Sequence, residues 1–289
     1  MTTDVVTTVV DQTSDAAFRT WVAEFIARLL AVGLTQTADT GQINTATVTR
    51  AAINTDAGYA IFRFNDTLQA TAPIFIKVLF GSGASTSTPR VRVQIGTASN
   101  GSGTVSGLGS ANTDVINLNS VPASISTPYG TYTCYNATYG TLWMTWKRFG
   151  GGAAGFGFGF FYIGRTTDST GATTGDGVVQ MYSPTTTIYT VRTISYLSNT
   201  IYVAANGTVD MILQPYGITA TLVGGVAQLF KAYYVTPRMR PMLQVVMSLD
   251  SEIPQLTAYT ATTVGTTPHT YLAANCTQST VKSLGILWE

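Results

Sequence analysis

The sequence predicts a mainly β protein, a jelly-roll-like β-sandwich preceded by one amphipathic N-terminal helix. Roughly a dozen to fifteen short segments rich in β-branched and aromatic residues follow one another along the chain. Stretches rich in glycine and other turn-forming residues separate them. One segment near the N-terminus instead has apolar residues at the spacing of a helix. Many short strands with glycine turns are typical of sandwiches and jelly rolls.

The composition is that of a nearly neutral chain with few charges. Only 10% of the 289 residues are charged, and the formal net charge is +1, whereas about a quarter of the residues are charged in a typical domain. This balance does not support binding to nucleic acid or to an anionic membrane by bulk electrostatics. Few charges leave little repulsion between copies. We therefore expect a homo-oligomer.

The helix is predicted over Ser14 to Val32, with Ser14 among the residues able to cap its N-terminus and Gly33 as its left-handed terminator. Its apolar stripe consists of Phe18, Trp21, Val22, Phe25, Ile26, Leu29 and Leu30. Such a stripe has to be buried on another surface. We predict that it is the interface that attaches the protein to a partner. The alternative is that the helix packs on its own domain.

Charged residues within this helix also bear on membrane insertion. Arg19, Glu24 and Arg28 interrupt the apolar run, and acidic residues precede it. The segment is therefore predicted neither to span a membrane nor to act as a secretory signal.

Two regions are predicted. Residues 1–44 comprise an N-terminal arm, the helix and a polar connector, and serve as the anchor and oligomerisation unit. The arm, residues 1–12, is β-prone and is either disordered or an extended strand that pairs with a neighbour. Residues 45–289 form the β-sandwich domain, which we expect to fold without the helix.

The strands of the sandwich are predicted from β-branched and aromatic runs. After Pro89, valine and isoleucine alternate with arginine and glutamine, the pattern of a strand with one wet face. Asn206-Gly207 is the strongest hairpin signal. The segment Thr219–Tyr234 is compatible with strands or with a short helix. The other principal predicted strands are Thr45–Arg50, Gly58–Asn65, Ile74–Phe80, Asp114–Asn119, Gly130–Asn136, Tyr139–Phe149, Phe156–Gly164, Val178–Ser183, Thr186–Tyr196, Thr200–Val203, Thr208–Leu213 and Leu243–Leu249.

No catalytic signature is present in the sequence. His269, the only histidine, follows a proline in a Thr-rich turn, and we interpret it as structural. Asp168 and Asp176 flank a Gly/Thr loop, but their spacing fits no EF-hand. A glycosidase needs two converging carboxylates, and nothing in the sequence favours convergence of Asp114, Asp210 or Asp250. We predict no enzymatic activity, no cofactor and no metal.

Two further residue sets have alternative interpretations. Cys134 and Cys276 are far apart and form no metal motif, so we expect free thiols rather than a disulfide needed for stability. Five aromatic residues would be able to stack on a sugar ring if exposed, although a core or interface role is the simpler interpretation. They are Tyr132, Tyr135, Tyr139, Trp143 and Trp146.

Several blocks of the chain together carry a family resemblance. The helix FRTWVAEFIARLLAVG is followed by QTADTGQI, then by FRFNDTLQATAPIFIKVLFGSGASTSTPR, and the chain closes with LGILWE. In this layout the chain resembles a virion structural protein of a tailed bacteriophage. The resemblance implies a β-sandwich without enzymatic activity that forms a homotrimer or a higher ring. It also implies a location in the virion after assembly in the host cytoplasm, with other virion proteins as partners.

Three functional hypotheses follow. The first is a tail-associated protein of a fibre or baseplate, anchored by the arm and helix, with a host surface glycan as a further candidate partner. The second is a capsid decoration or cement protein. The third, from another class, is a carbohydrate-binding or carbohydrate-degrading domain. Carboxylates clustered beside exposed tryptophans favour the third hypothesis, whereas a symmetric interface through the helix favours the first two.

Overall fold

The computed structural model describes the chain in segments. They are residues 2–8, 11–83, 85–106, 129–148, 158–168, 170, 172–182, 189–194, 202–203, 229–234, 240–248, 258–261, 269–274 and 284–287. Side chains are described for residues 11–83, 85–106, 133–144, 161–165, 168, 170 and 172–177. Within these segments the protein is mainly β, with antiparallel sheets and one N-terminal helix, as the sequence predicts.

The helix, α1, runs from Asp15 to Ala31, within one residue of the prediction at each end. Ser14 caps its N-terminus, because its hydroxyl accepts a hydrogen bond from the backbone N–H of Ala17 at 3.1 Å. At the other end, Gly33 has φ +105°, a conformation that glycine adopts without a side-chain clash. The helix ends there because the chain turns into the left-handed region. Within the described residues, no helix has the length and hydropathy needed to cross a membrane.

Eighteen strands are described. In chain order they are β1 Thr2–Thr8, β2 Thr35–Gln36, β3 Asp56–Arg63, β4 Phe75–Ser82, β5 Pro89–Gly96, β6 Ala98–Ser99, β7 Val105–Ser106, β8 Tyr129–Asn136, β9 Thr141–Arg148, β10 Phe158–Thr167, β11 Thr173–Tyr182, β12 Tyr189–Ile194, β13 Tyr202–Val203, β14 Leu229–Tyr234, β15 Arg240–Ser248, β16 Ala258–Ala261, β17 His269–Ala274 and β18 Leu284–Leu287.

These strands form three larger sheets and one short hairpin, β6–β7. The four-stranded sheet has the order β2-β3-β4-β5, and the seven-stranded sheet has the order β1-β8-β9-β10-β11-β12-β13. The five-stranded sheet has the order β14-β15-β18-β17-β16, so β18 returns to lie beside β15. That return is a Greek-key arrangement, the unit from which jelly rolls are built. The seven- and five-stranded sheets approach each other at β10 and β15.

The described hydrophobic core lies between α1, the four-stranded sheet and the β8–β10 part of the seven-stranded sheet. Strand β5 shows how the alternation of apolar and polar residues builds this core. Val91 and Val93 are buried, whereas Arg90 and Arg92 are half-buried. Residues on both sides of the expected boundary between residues 44 and 45 share this one core. The helix and the first strands therefore stabilise each other.

Some predicted elements differ from the structure. The predicted strand Thr45–Arg50 contains turns instead, because the N–H groups of Thr47 and Val48 donate to the Asn44 carbonyl. The ambiguous segment Thr219–Tyr234 contains strand β14 in its second half. His269 begins β17 rather than lying in a turn. The predictions for Asp114–Asn119, Thr208–Leu213 and the Asn206-Gly207 hairpin lie outside the described residues.

Candidate functional site

The predicted attachment stripe of α1 lies against the chain's own strands. Phe18, Trp21, Val22 and Leu29 are at most 2% exposed. Phe25 and Ile26 are partly buried against the same core. The packing is thus the alternative left open by the sequence, a helix docked on its own domain. Leu30 differs from the rest of the stripe, because it is 42% exposed at the edge of the packed face.

Aromatic rings fix the position of α1 on β4. The Trp21 ring packs edge to face against Phe18 at 5.6 Å and against Phe80 at 5.8 Å between ring centres. Phe25 packs in the same manner on Phe80 at 5.6 Å. Pairs of this geometry contribute about 0.5–1.5 kcal/mol beyond the area that they bury. The stripe therefore holds the helix to its own sheet.

Polar contacts hold the start of the helix to the loop before β3 and to the end of β4. The Arg50 guanidinium donates from Nε to Asp15 Oδ1 at 3.0 Å and from Nη1 to the Thr13 carbonyl at 2.8 Å. The backbone N–H and side chain of Arg50 lower the pKa of Asp15. The buried Gln12 amide donates to Ser82 Oγ at 2.9 Å and to the Thr86 carbonyl at 3.0 Å.

A buried ion pair joins the loop after β3 to the seven-stranded sheet. Arg165, on β10, donates from Nε to Asp66 Oδ2 at 2.5 Å and from Nη2 to Oδ1 at 2.9 Å. The two side chains are 0% and 3% exposed. Arg165 Nη1 also donates to the Gly175 carbonyl at 3.2 Å. Gly140, with φ +58°, makes room for the pair, since a Cβ there would overlap the Asp66 carboxylate. Such a two-point contact fixes both distance and orientation.

Tyr135 on β8 reinforces the same junction. Its hydroxyl accepts a hydrogen bond from the backbone N–H of Asn65 at 2.7 Å, and its ring packs on Phe64 at 5.2 Å. Burial raises the pKa of Tyr135 far above its ordinary value. The phenol therefore acts as a neutral tie between the loop after β3 and the seven-stranded sheet.

A second polar cluster closes a loop over the outer side of the four-stranded sheet. The Asp39 carboxylate, in a residue 8% exposed, accepts hydrogen bonds from the Ser99 hydroxyl and from the Gly103 N–H. Burial alone would raise the pKa of Asp39, but the hydrogen bonds from Ser99 and from the Gly103 backbone outweigh it, so the pKa is lowered. The ionised carboxylate thus holds the β6–β7 hairpin against the 37–43 segment.

Lys77 belongs to the same cluster. Its ammonium lies 4.2 Å from the centre of the Tyr59 ring and donates to the Gly103 carbonyl at 2.7 Å. The Tyr59 hydroxyl in turn donates to the Thr40 carbonyl at 2.7 Å. Burial lowers the pKa of Lys77. Asp39, Tyr59, Lys77 and Ser99 lie close together in this cluster. Each of their contacts described above joins two segments of the chain.

The acidic residues considered from sequence are not brought together in the described part of the chain. Asp168 accepts hydrogen bonds from the N–H groups of Thr170 and Ala172 and so closes its own turn. Asp176 is buried on β11. Among the described residues, no three His, Cys, Asp or Glu side chains are grouped to hold a metal. Asp114, Asp210, Asp250 and the side chain of His269 lie outside the described set.

Most of the described aromatic candidates for sugar stacking are inside the protein. Trp143 and Tyr135 are 1% and 2% exposed, respectively. Tyr139, in the turn after β8, is 43% exposed. The side chains of Trp146 and Tyr132 lie outside the described set. Tyr139 is therefore the described candidate that a sugar ring is able to reach.

Cys134 on β8 is a buried free thiol. Burial raises its pKa to about 12, with a smaller opposing effect from a hydrogen bond with Trp143. A thiol in this state is a poor nucleophile and oxidises slowly. Cys276 lies outside the described residues, so the absence of a stabilising disulfide stays a prediction.

Stability should fall at alkaline pH because of Cys134. Its pKa is raised in the folded state, so the folded protein keeps the proton after the unfolded chain has released it. The stabilisation is complete below pH about 9, the ordinary value for this thiol, and is lost as pH rises toward about 12. Tyr135 acts in the same direction. Melting temperatures between pH 8 and 11 should decline less steeply in Cys134→Ala than in the parent, and parallel curves would contradict the assignment.

The structural ties described above were not identified from the sequence. Asp66 and Arg165 are 99 positions apart, and neither belongs to a local motif. The available local signal was the glycine at position 140, which has a positive φ. It marks a turn but does not identify the Asp66–Arg165 ion pair beside it. No family model, curated protein or solved structure matches this chain.

Proposed function

We propose that this protein is a non-enzymatic structural component of a tailed bacteriophage virion, associated with the tail as part of a fibre or baseplate. A structural role is supported by the contacts that the buried charged side chains make. The Asp66–Arg165 pair ties the loop after β3 to β10, and Asp39 holds the β6–β7 hairpin over the outer side of the four-stranded sheet. These contacts hold separate segments in fixed positions, as a load-carrying scaffold requires.

The assignment to a virion rests on the resemblance carried by residues 18–33, 36–43, 62–90 and 284–289. That resemblance also motivates the proposed trimer, which is an analogy of family rather than a geometric result. Because the stripe of α1 is buried, attachment would use the N-terminal arm and the exposed side of the helix, where Leu30 lies. A capsid decoration protein is the alternative within the same class.

The carbohydrate hypothesis has less support among the described residues. It needs exposed aromatic rings beside carboxylates, and Trp143 is buried. Tyr139 is exposed, so a glycan array with the parent protein and Tyr139→Ala is the direct comparison. Binding that is lost in Tyr139→Ala would support a glycan as partner of the tail protein.

Immunogold electron microscopy tests the location of the protein. Antibodies raised against the purified protein are applied to intact particles of the phage whose genome encodes it, with pre-absorbed antibody as the control. We expect gold on the tail at symmetry-related positions. Gold on the head would replace the tail assignment with the decoration alternative. Particles that carry no label and yield no peptides of the chain by mass spectrometry would contradict the virion proposal.

A further inference from the structure

Among the described strands, β1 is an edge of the seven-stranded sheet. It pairs with β8 through seven consecutive residue pairs, from Thr2 opposite Tyr135 to Thr8 opposite Tyr129. At the far edge of the sheet, the described part of β13 comprises Tyr202 and Val203. Among the described strands, none pairs with the other side of β1. A long edge with unpaired N–H and C=O groups is a template for a further strand.

The sequence of β1 has few of the features that protect such an edge. Natural edge strands are protected by charged side chains, above all lysine, and by proline, β-bulges or short length. Strand β1 reads TTDVVTT, so six of its seven residues are threonine or valine, and its register with β8 is uninterrupted. Asp4 is its one charged residue. Both composition and geometry therefore favour addition of another strand.

We infer that the strand added here is β1 of a second copy, antiparallel and centred on Val5. The sequence of β1 is nearly the same in both directions, so this register pairs Thr2 with Thr8 and Thr3 with Thr7 across the two copies. Cross-strand pairs of β-branched residues stabilise a sheet by about 0.2–1 kcal/mol each. Asp4 then lies opposite a valine of the partner subunit.

Neighbouring registers are less favourable. Centring the pair on Asp4 would place two carboxylates directly opposite each other, which destabilises the pair. It would also leave the ends of both strands without partners, whereas the Val5 register uses all seven residues. The result is a two-fold contact that joins two seven-stranded sheets into one continuous sheet. This contact is additional to the proposed trimer, because two-fold and three-fold axes coexist in a closed D3 assembly.

Two double variants of the full chain test both the contact and its register. In Thr3→Lys/Thr7→Glu, each introduced lysine lies opposite an introduced glutamate of the partner subunit. In Thr3→Lys/Thr7→Lys, like charges face each other twice. We expect the parent and the first variant to sediment with a component of at least twice the chain mass of 30.6 kDa. The second variant should dissociate at tenfold or higher protein concentration than the first. Thr138→Lys, at an exposed turn position, is the surface-charge control and should behave as the parent.

The outcomes separate this inference from the proposed function. A parent protein that is monomeric at high micromolar concentration, or two double variants that associate equally, would overturn the β1 contact without changing the location of the protein in the particle. If circular dichroism shows that charges at these positions unfold the protein, the same two exchanges are made at Thr2 and Thr8. Those residues lie on the other face of the strand. Oxidation of Val5→Cys should also give a covalent dimer, and Thr3→Cys should give far less.

Discussion

A chain consisting of residues 45–289 is expected to lose its cooperative fold. The deletion removes Phe18, Trp21, Val22 and Leu29, all of which are buried in the core shared with β3, β4 and β5. Burial of each such side chain is worth roughly 1.5–3 kcal/mol, so the loss is on the order of 10 kcal/mol. Typical domains have only about 5–15 kcal/mol of stability. Independent folding of residues 45–289 stays a prediction, and this truncation is its test.

Point variants separate the helix core from the helix surface. Trp21→Ala should lower the free energy of unfolding by about 3–5 kcal/mol, because it removes a large side chain from a packed site. Leu30→Ala is the matched control on the same helix and should cost less than about 1 kcal/mol, since Leu30 is 42% exposed. Urea denaturation followed by circular dichroism measures both. A truncated chain that melts like the parent would restore the helix as a detachable anchor.

Arg165→Ala should be strongly destabilising, because it removes one member of a buried ion pair. It leaves the Asp66 carboxylate, 3% exposed, without its two-point partner. Removal of one member of a buried ion pair typically costs about 3–5 kcal/mol, because a charge stays buried and uncompensated. The loss should appear as a lower denaturation midpoint.

Two comparisons identify the origin of this loss. Arg50→Ala breaks a pair whose side chains are 27% and 42% exposed, so its effect should be on the order of 1 kcal/mol. The double variant Asp66→Asn/Arg165→Met should be more stable than Arg165→Ala, since no charge is left unpaired. Equal losses in Arg165→Ala and Arg50→Ala would show that the buried pair does not hold the loop after β3 to the seven-stranded sheet.

Local signals made the helix and several strands predictable from sequence. The Ser14 cap and the glycine at position 33 fixed the ends of α1, because both act within one turn of the helix. Alternation after Pro89 fixed β5 for a similar reason, since successive side chains of a strand face opposite sides. These features depend on neighbours in sequence alone.

Features set by distant neighbours were not predictable. Periodicity placed Leu30 on the apolar stripe, but the extent of the sheet beneath the helix decides that it is exposed. The segment ending at Arg50 has the composition of a strand, yet Arg50 is held by Asp15 at the helix start. The partner of the N-terminal arm and the Asp66–Arg165 pair are likewise contacts across long stretches of chain.

The pairing of β1 with β8 has a consequence for the order of folding. The hairpins β3–β4 and β4–β5 join strands that are close in sequence, and with α1 they are complete by Gly96. Thr2, by contrast, pairs with Tyr135. Contacts between distant positions form late because a long loop has to be closed first. On the ribosome, β1 is synthesised first but is expected to be among the last strands to pair in its sheet.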